Sequence, residues 1–324
     1  MGRRERIKLA AIGGGTGLST LLRGLKSHVA QPTSPIDLTA IVTVTDDGKS
    51  SGRLRQEFTI LPPGDIRNCL VALADDGARM TRIFRHRFPG DGPLGGHALG
   101  NLILLALSQQ EGDFLSAIEV TREMLGVRPR VLPSTLSHVI LVARVGSRII
   151  RGQVAIKSQE GPIEELRISP PYVQALPEAI AAIRDADVIT LGPGSLFTSV
   201  ISNLLIREIA EELVRSRARK IYICNAMTEY DETDGMTAAD HVRTLLSYAP
   251  DLKLDYALFN SSPISAEMRE RYAAEKAVAL DPPTEVPPDL AGIEFIALPL
   301  ASEDLFVRHD PDRLCRAILE ISSY

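Results

Sequence analysis

A chain of 324 residues with 44% hydrophobic and 24% charged residues can bury a sizeable core, as one large α/β domain or two smaller ones. Its formal charge of −5 argues against broad, nonspecific nucleic-acid binding, and no apolar run approaches the roughly 18 residues that cross a bilayer. Cys69, Cys224 and Cys315 lie far apart without CxxC spacing, which supports neither a disulfide framework nor a zinc site. The opening MGRRERIKL lacks an apolar h-region, and Arg6 stands where a myristoylation signal has Ser or Thr. A cytoplasmic protein without membrane insertion is the expectation.

In chain order, the apolar run Ile7 to Ile12, the glycines of Gly13 to Gly17 and the helical pattern Leu18 to Leu25 read as strand, turn, helix. Leu38 to Val44, apolar and β-branched, reads as a second buried strand ending at Asp46 and Asp47. LPPGDIRNCL opens a helix, and the basic run Arg79 to Arg87 reads as a solvated helix face rather than a nucleic-acid patch. Leu99 to Leu107 and Asp113 to Leu125 look helical. His138 to Val145 with Ile149 to Ile156 predicts a hairpin around Gly146 and Ser147, a small insertion near residues 131–170.

From Asp187 the same grammar returns, with a strand to Leu191, a turn at Gly192 to Ser195 and a helix after it. KIYICN is a strand ending at Asn225, TAAD (Thr237 to Asp240) is a helix cap, and LDYALFN is a strand ending at Asn260. After a Pro-rich loop, Asp281 to Asp289, FIALPL and Pro311 to Ile321 give a last strand and a closing amphipathic helix. The expected fold is α/β, Rossmann-like and doubly wound, with a mostly parallel sheet and a small antiparallel β insertion. In such sheets ligands bind beyond the carboxyl ends of the strands. GGGTG, TDDGKSSGR, GPGS and CNAMTEYDETDG all fall there, so one crevice is expected between them.

Gly13, Gly14, Gly15, Thr16 and Gly17 bring backbone amides and a hydroxyl to a helix start that favours phosphate. Leu18 three positions after Gly15 breaks the dinucleotide fingerprint, which disfavours a nicotinamide oxidoreductase. GKSS suggests a P-loop, but the residue five before Gly48 is Thr43, inside the strand. What remains is an acidic strand end: Asp46 and Asp47 can accept from ribose or substrate hydroxyls, hold Mg²⁺, or simply form a turn. Arg67 can fork onto a phosphate beside Asn68, while Asp65 reads equally as an N-cap. His97 and Asn101, four apart, share a helix face. Gly192, Gly194 and Ser195 form a second glycine turn, either a tight capped turn or a hold on another part of one ligand. Asp231, Glu232 and Asp234 read as solvated loop charges, with Asp234 and Gly235 within reach of the crevice. Arg308 and His309 put a cation by the last strand.

Taken together, GGGTGLSTLLRGLK, TAIVTVTDDGKSSGRLR, LPPGDIRNCLVALAD, GGHALGNLILLAL, ADVITLGPGSLFTSVISNLL, KIYICNAMTEYDETDGMTAADH and VRHD resemble the YvcK family of bacterial gluconeogenesis factors, in order from residue 7 to about 310. The wider superfamily includes CofD, the 2-phospho-lactate transferase. The resemblance implies a single Rossmann-like domain over 1–324 that binds UDP-N-acetylglucosamine or a related UDP-sugar. It implies a role in carbon metabolism, in gluconeogenic growth and in cell-wall and cell-shape morphogenesis, with no assigned catalytic residue. Binding residues carry over as Gly13 to Gly17, Asp46, Asp47, Ser51, Arg53, Gly192, Gly194, Ser195, Asn225 and Arg308. Lys49 departs from the family's DDGGSSG. Three functions compete: a nucleotide-sugar sensor acting on a regulatory protein partner, a CofD-like transferase using Mg²⁺, and the disfavoured oxidoreductase. A homo-oligomer stays open.

Overall fold

The computed structural model describes residues 6–322; the leader reading of the first residues lies outside them. The first half runs β1 (Ile7–Gly13), α1 (Gly15–Val29), β2 (Ile36–Val42), α2 (Lys49–Phe58), α3 (Pro63–Leu73), α4 (Arg79–Arg85), α5 (Leu99–Glu111), α6 (Phe114–Met124) and β3 (Arg130–Pro133). An insertion follows: β4 (Ile140–Val145), β5 (Arg148–Arg151), the short α7 (Gln153–Ile156) and β6 (Glu165–Ser169). The second half runs α8 (Pro177–Arg184), β7 (Val188–Leu191), a π-helical turn (Leu196–Ile201) into α9 (Ser202–Leu204), α10 (Arg207–Arg215), β8 (Arg219–Ile223), α11 (Ala238–Ser247), β9 (Tyr256–Asn260), α12 (Ala266–Ala274), β10 (Glu294–Leu298), β11 (Ala301–Glu303), β12 (Val307–His309) and α13 (Pro311–Ser322).

Seven strands form one sheet in the order β10-β9-β8-β7-β1-β2-β3, and every pairing in it is parallel. β1 and β7 are buried along most of their length, as a sheet covered by helices on both faces requires. The chain winds outward from β1 through β2 to β3, then returns to the other side of β1 with β7. The switch point therefore lies between β1 and β7, where doubly wound sheets open a crevice. α1 covers this centre and approaches α13 closely enough that a Cβ on Gly24 would stand 2.0 Å from the Pro311 carbonyl oxygen.

The antiparallel part is larger than the expected hairpin. β4 pairs with β5 on one side and β6 on the other, giving a three-stranded sheet. The second hairpin strand also ends at Arg151 rather than Ile156, because Gly152 takes φ 97° and the chain then closes into α7. Thr237 and Asp240 form a reciprocal capping box at α11, as the TAAD spacing predicts. The arginines of Arg79 to Arg87 are exposed, and Arg82 and Arg87 donate to the carbonyls of Gly77 and Gly96. The Pro-rich loop is tied down by a fork from Arg243 onto Asp289, at 2.6 and 3.0 Å.

Candidate functional site

The glycine turns after β1 and β7 face each other across the switch point. A Cβ on Gly17 would lie 2.3 Å from the Pro193 oxygen and 2.6 Å from the Gly194 Cα, so only glycine permits this approach. Gly15 takes φ +59° and Gly14 is extended, which aims the start of α1 into the cleft. The first amides of a helix have no carbonyl one turn back. Gly15 N–H is met by the Asp65 carboxylate at 2.8 Å, whereas among the described residues the amides of Thr16 and Gly17 have no acceptor.

Asp65 is thus not the N-cap of its own helix. α3 opens on Pro62 and Pro63, prolines that offer no N–H, and the carboxylate instead caps α1. Burial, then the neighbouring Asp46 carboxylate, push the Asp65 carboxyl up to about 7, against the Gly15 amide, Lys157 and Arg67. Asp46 lies just behind: a Cβ on Gly64 would stand 2.7 Å from its Oδ2, and its Oδ1 accepts from Gly48 N–H at 2.9 Å.

Asp46 and Asp47, which as one option would hold Mg²⁺ together, face different neighbours, Asp46 the Gly48 and Gly64 backbone and Asp47 the insertion. Asp47 turns to the insertion, where its Oδ1 accepts from Val154 N–H at 2.8 Å. Among the described residues no group of three or more His, Cys, Asp or Glu could hold a metal. Asp46 instead neighbours Asp65, whose carboxyl lines the cleft.

The cleft encloses about 410 Å³. It brings together Gly15, Thr16, Gly17, Asp65, Gly194, Ser195, Asn225 and Arg308 of the expected set, with Gly13, Gly14 and Gly192 packed in the turns behind. The rest sit elsewhere. Ser51 accepts from Gly64 N–H at 3.1 Å, and Arg67 is buried and donates to Asn68. Burial and then Arg87 lower the Arg67 pKa to about 10, against Asp65 and Asp46. Asp47 and Arg53 line a second, open cavity of about 970 Å³ with Lys49 and Phe88, and Arg53 donates to the Gly95 carbonyl at 2.9 Å. His97 precedes α5 rather than lying on it, yet it and Asn101 both bond Ser50, at 3.0 and 2.9 Å, a structural clamp.

Two charged residues of the cleft wall, Lys157 and Glu229, escape the sequence reading, and Glu232 beside Lys157 departs from its expected place. Lys157, just after α7, donates to Ser195 Oγ at 2.7 Å and lies 3.5 and 3.4 Å from Glu229 and Glu232. Glu229 accepts from Ser195 Oγ at 2.5 Å and from Asn225 Nδ2 at 3.0 Å. Glu232 is not a solvated loop charge: it is 2% exposed, accepts from Thr198 Oγ1 at 2.9 Å, and burial pushes its carboxyl up to about 7. Burial works against the charge on Lys157, but Glu232 and Glu229 outweigh it and raise the pKa. Asp231 is also buried, whereas Asp234 is exposed and holds Asp231 N–H rather than lining the cleft. Arg308, also in the cleft lining, stacks over Phe306 at 5.0 Å, and His309 beside it is neutral at pH 7, since burial lowers its pKa to about 4.

Fold and cleft define a doubly wound α/β protein with a polar, glycine-walled crevice at its switch point. Residues 9–299 match the family model described as 2-phospho-L-lactate transferase CofD. The gluconeogenesis factor of Bacillus subtilis is 42% identical over 319 residues, covering 98% of both chains. That of Halalkalibacterium halodurans is 42% identical, covering 98% of this chain and 97% of the relative. The crystal structure of protein BH3568 from Bacillus halodurans superposes with a TM-score of 0.91 at 40% identity, covering 97% of this chain and all of that one. The chain belongs to the CofD family, among the gluconeogenesis factors of the YvcK type. No helix among the described residues is long and apolar enough to cross a membrane.

Proposed function

We propose that this chain is a cytoplasmic nucleotide-sugar-binding regulatory protein, taking UDP-N-acetylglucosamine or a related UDP-sugar into the cleft. Through a protein partner it would act in carbon metabolism during gluconeogenic growth and in cell-wall and cell-shape morphogenesis. The observation that carries the reading is the pair of glycine turns in backbone contact, with the unpaired amides of Thr16 and Gly17 at a helix N-terminus. Such an end attracts phosphate through its N–H groups and its dipole. Arg308 supplies a cation across the cleft, and Asn225 and Glu229 offer polar groups to ribose or sugar hydroxyls.

Calorimetry with UDP-N-acetylglucosamine, GDP and NAD tests this; tight binding of NAD alone overturns it. Arg308→Ala is expected to weaken UDP-sugar binding by about 10- to 100-fold without unfolding the protein, since the side chain is exposed. Unchanged affinity removes Arg308 from the site. Lys49→Gly is expected to leave affinity within about 2-fold, because Lys49 faces the second cavity. Loss of binding in that variant would restore the idea of a phosphate-binding lysine in GKSS.

One observation favours a second reading, a CofD-like transferase of phosphorus-containing groups. Asp65 lines the cleft with Asp46 close behind it, and they rather than Asp46 and Asp47 would hold a Mg²⁺ that screens phosphate charge. EDTA-sensitive turnover of a nucleotide-linked donor would favour it over the regulatory reading.

A further inference from the structure

We infer that Lys157 is a diphosphate-binding cation that the antiparallel insertion carries into the cleft, held by Glu229 and Glu232 in the free protein and passed to the ligand on binding. This rests on the nucleotide-sugar reading and adds a residue and a charge rule to it. Lys157 lines the same cleft as Thr16 and Gly17, and its strongest contact is the Ser195 hydroxyl of the second glycine turn, at 2.7 Å. Its two carboxylate contacts, 3.5 and 3.4 Å, are longer than the roughly 2.7–2.9 Å of a charge-assisted hydrogen bond. The ammonium is therefore paired but not locked, and its side chain is 37% exposed toward the cleft.

Both carboxylates keep donors when the lysine leaves. Ser195 and Asn225 hold Glu229, and Thr198 holds Glu232. The backbone that bears Lys157 is anchored on either side, by Asp47 on Val154 N–H at 2.8 Å and by Gln159 Nε2 on the Asp231 carbonyl at 3.2 Å. Only the flexible stem has to move. With Arg308 also in the cleft lining, the cleft then has two cations for two phosphates, and neutral ligands gain nothing from either.

The test is calorimetry on Lys157→Met, which keeps the apolar stem, with UDP-N-acetylglucosamine, uridine and inorganic pyrophosphate. UDP-N-acetylglucosamine affinity is expected to fall by about 30-fold, with a shallower salt dependence, while any affinity for uridine stays unchanged. Lys157→Arg is expected to recover part of the loss. Wild-type binding that persists undiminished in Lys157→Met overturns the inference and leaves the nucleotide-sugar reading standing. Should wild type bind no nucleotide sugar, that reading fails, and pyrophosphate decides: binding by wild type but not by Lys157→Met supports a diphosphate cation, and equal or absent binding refutes it. If Lys157→Met fails to fold because Glu232 loses its cation, Lys157→Met with Glu232→Gln removes both charges and is expected to show the same loss.

Discussion

Gly17→Ala is expected to reduce nucleotide-sugar affinity by about 100-fold or more and to lower the thermal midpoint by about 5 °C. The added methyl would stand 2.3 Å from the Pro193 oxygen, 2.5 Å from its carbonyl carbon and 2.6 Å from the Gly194 Cα. All three are backbone atoms, so no side-chain rotation relieves the clash and the two turns must part. Gly15→Ala is the control. It meets φ +59° but only the Ser199 hydroxyl, at 3.6 Å, so its cost is the roughly 1 kcal/mol of a non-glycine residue in the left-handed region. Calorimetry and thermal melts on both variants check the difference. Wild-type binding by Gly17→Ala would mean that the turns do not frame one site.

The Asp65→Asn, Glu232→Gln double variant is expected to gain stability over wild type as pH rises from 4 to about 7, with the difference level above that. Both carboxyls are pushed up to about 7 in the folded chain, from ordinary values near 4. A raised carboxyl binds its proton more tightly when folded. Its stabilisation is complete below the unfolded pKa and is lost as pH rises through the folded one. The loss amounts to roughly 4 kcal/mol for each carboxyl. Wild type alone hides it, because His241 and His309 are both lowered to about 4 by burial and shift stability the opposite way over the same range. Melting both proteins across pH 4 to 8 isolates the carboxyls, and a pH-independent difference would show that neither is held protonated.

Six of the seven parallel strands are legible in the sequence as apolar runs closed by turn signals, and Thr237 with Asp240 marks a helix start by spacing alone. The four-residue β3 (Arg130–Pro133) is too short to read, and it falls at the start of the expected insertion while belonging to the main sheet. The crevice is legible for the same reason: both glycine turns announce themselves at strand ends. Other parts depend on contacts between distant segments. The one local sign that Ile149 to Ile156 stops being a strand at Arg151 is Gly152, which also fits inside a hairpin strand, so Lys157 stays hidden behind an overlong hairpin. Asp65 sits where an N-cap belongs, and only the folded chain shows that two prolines leave it free to cap another helix. Glu232 looks like a surface charge until the π-helical turn and Lys157 of the insertion close over it beside Thr198.

The glycine turns come from opposite halves of the chain, and neither has a wall of its own to bind against. A fragment holding only one of them would carry half a socket, however well it folded. On the proposed function, ligand recognition would work as a completeness test on the polypeptide, switching on only after the first and second halves have docked. Cutting the gene at the exposed Gly146 turn and expressing the two pieces together would make the cleft a reporter of their reunion.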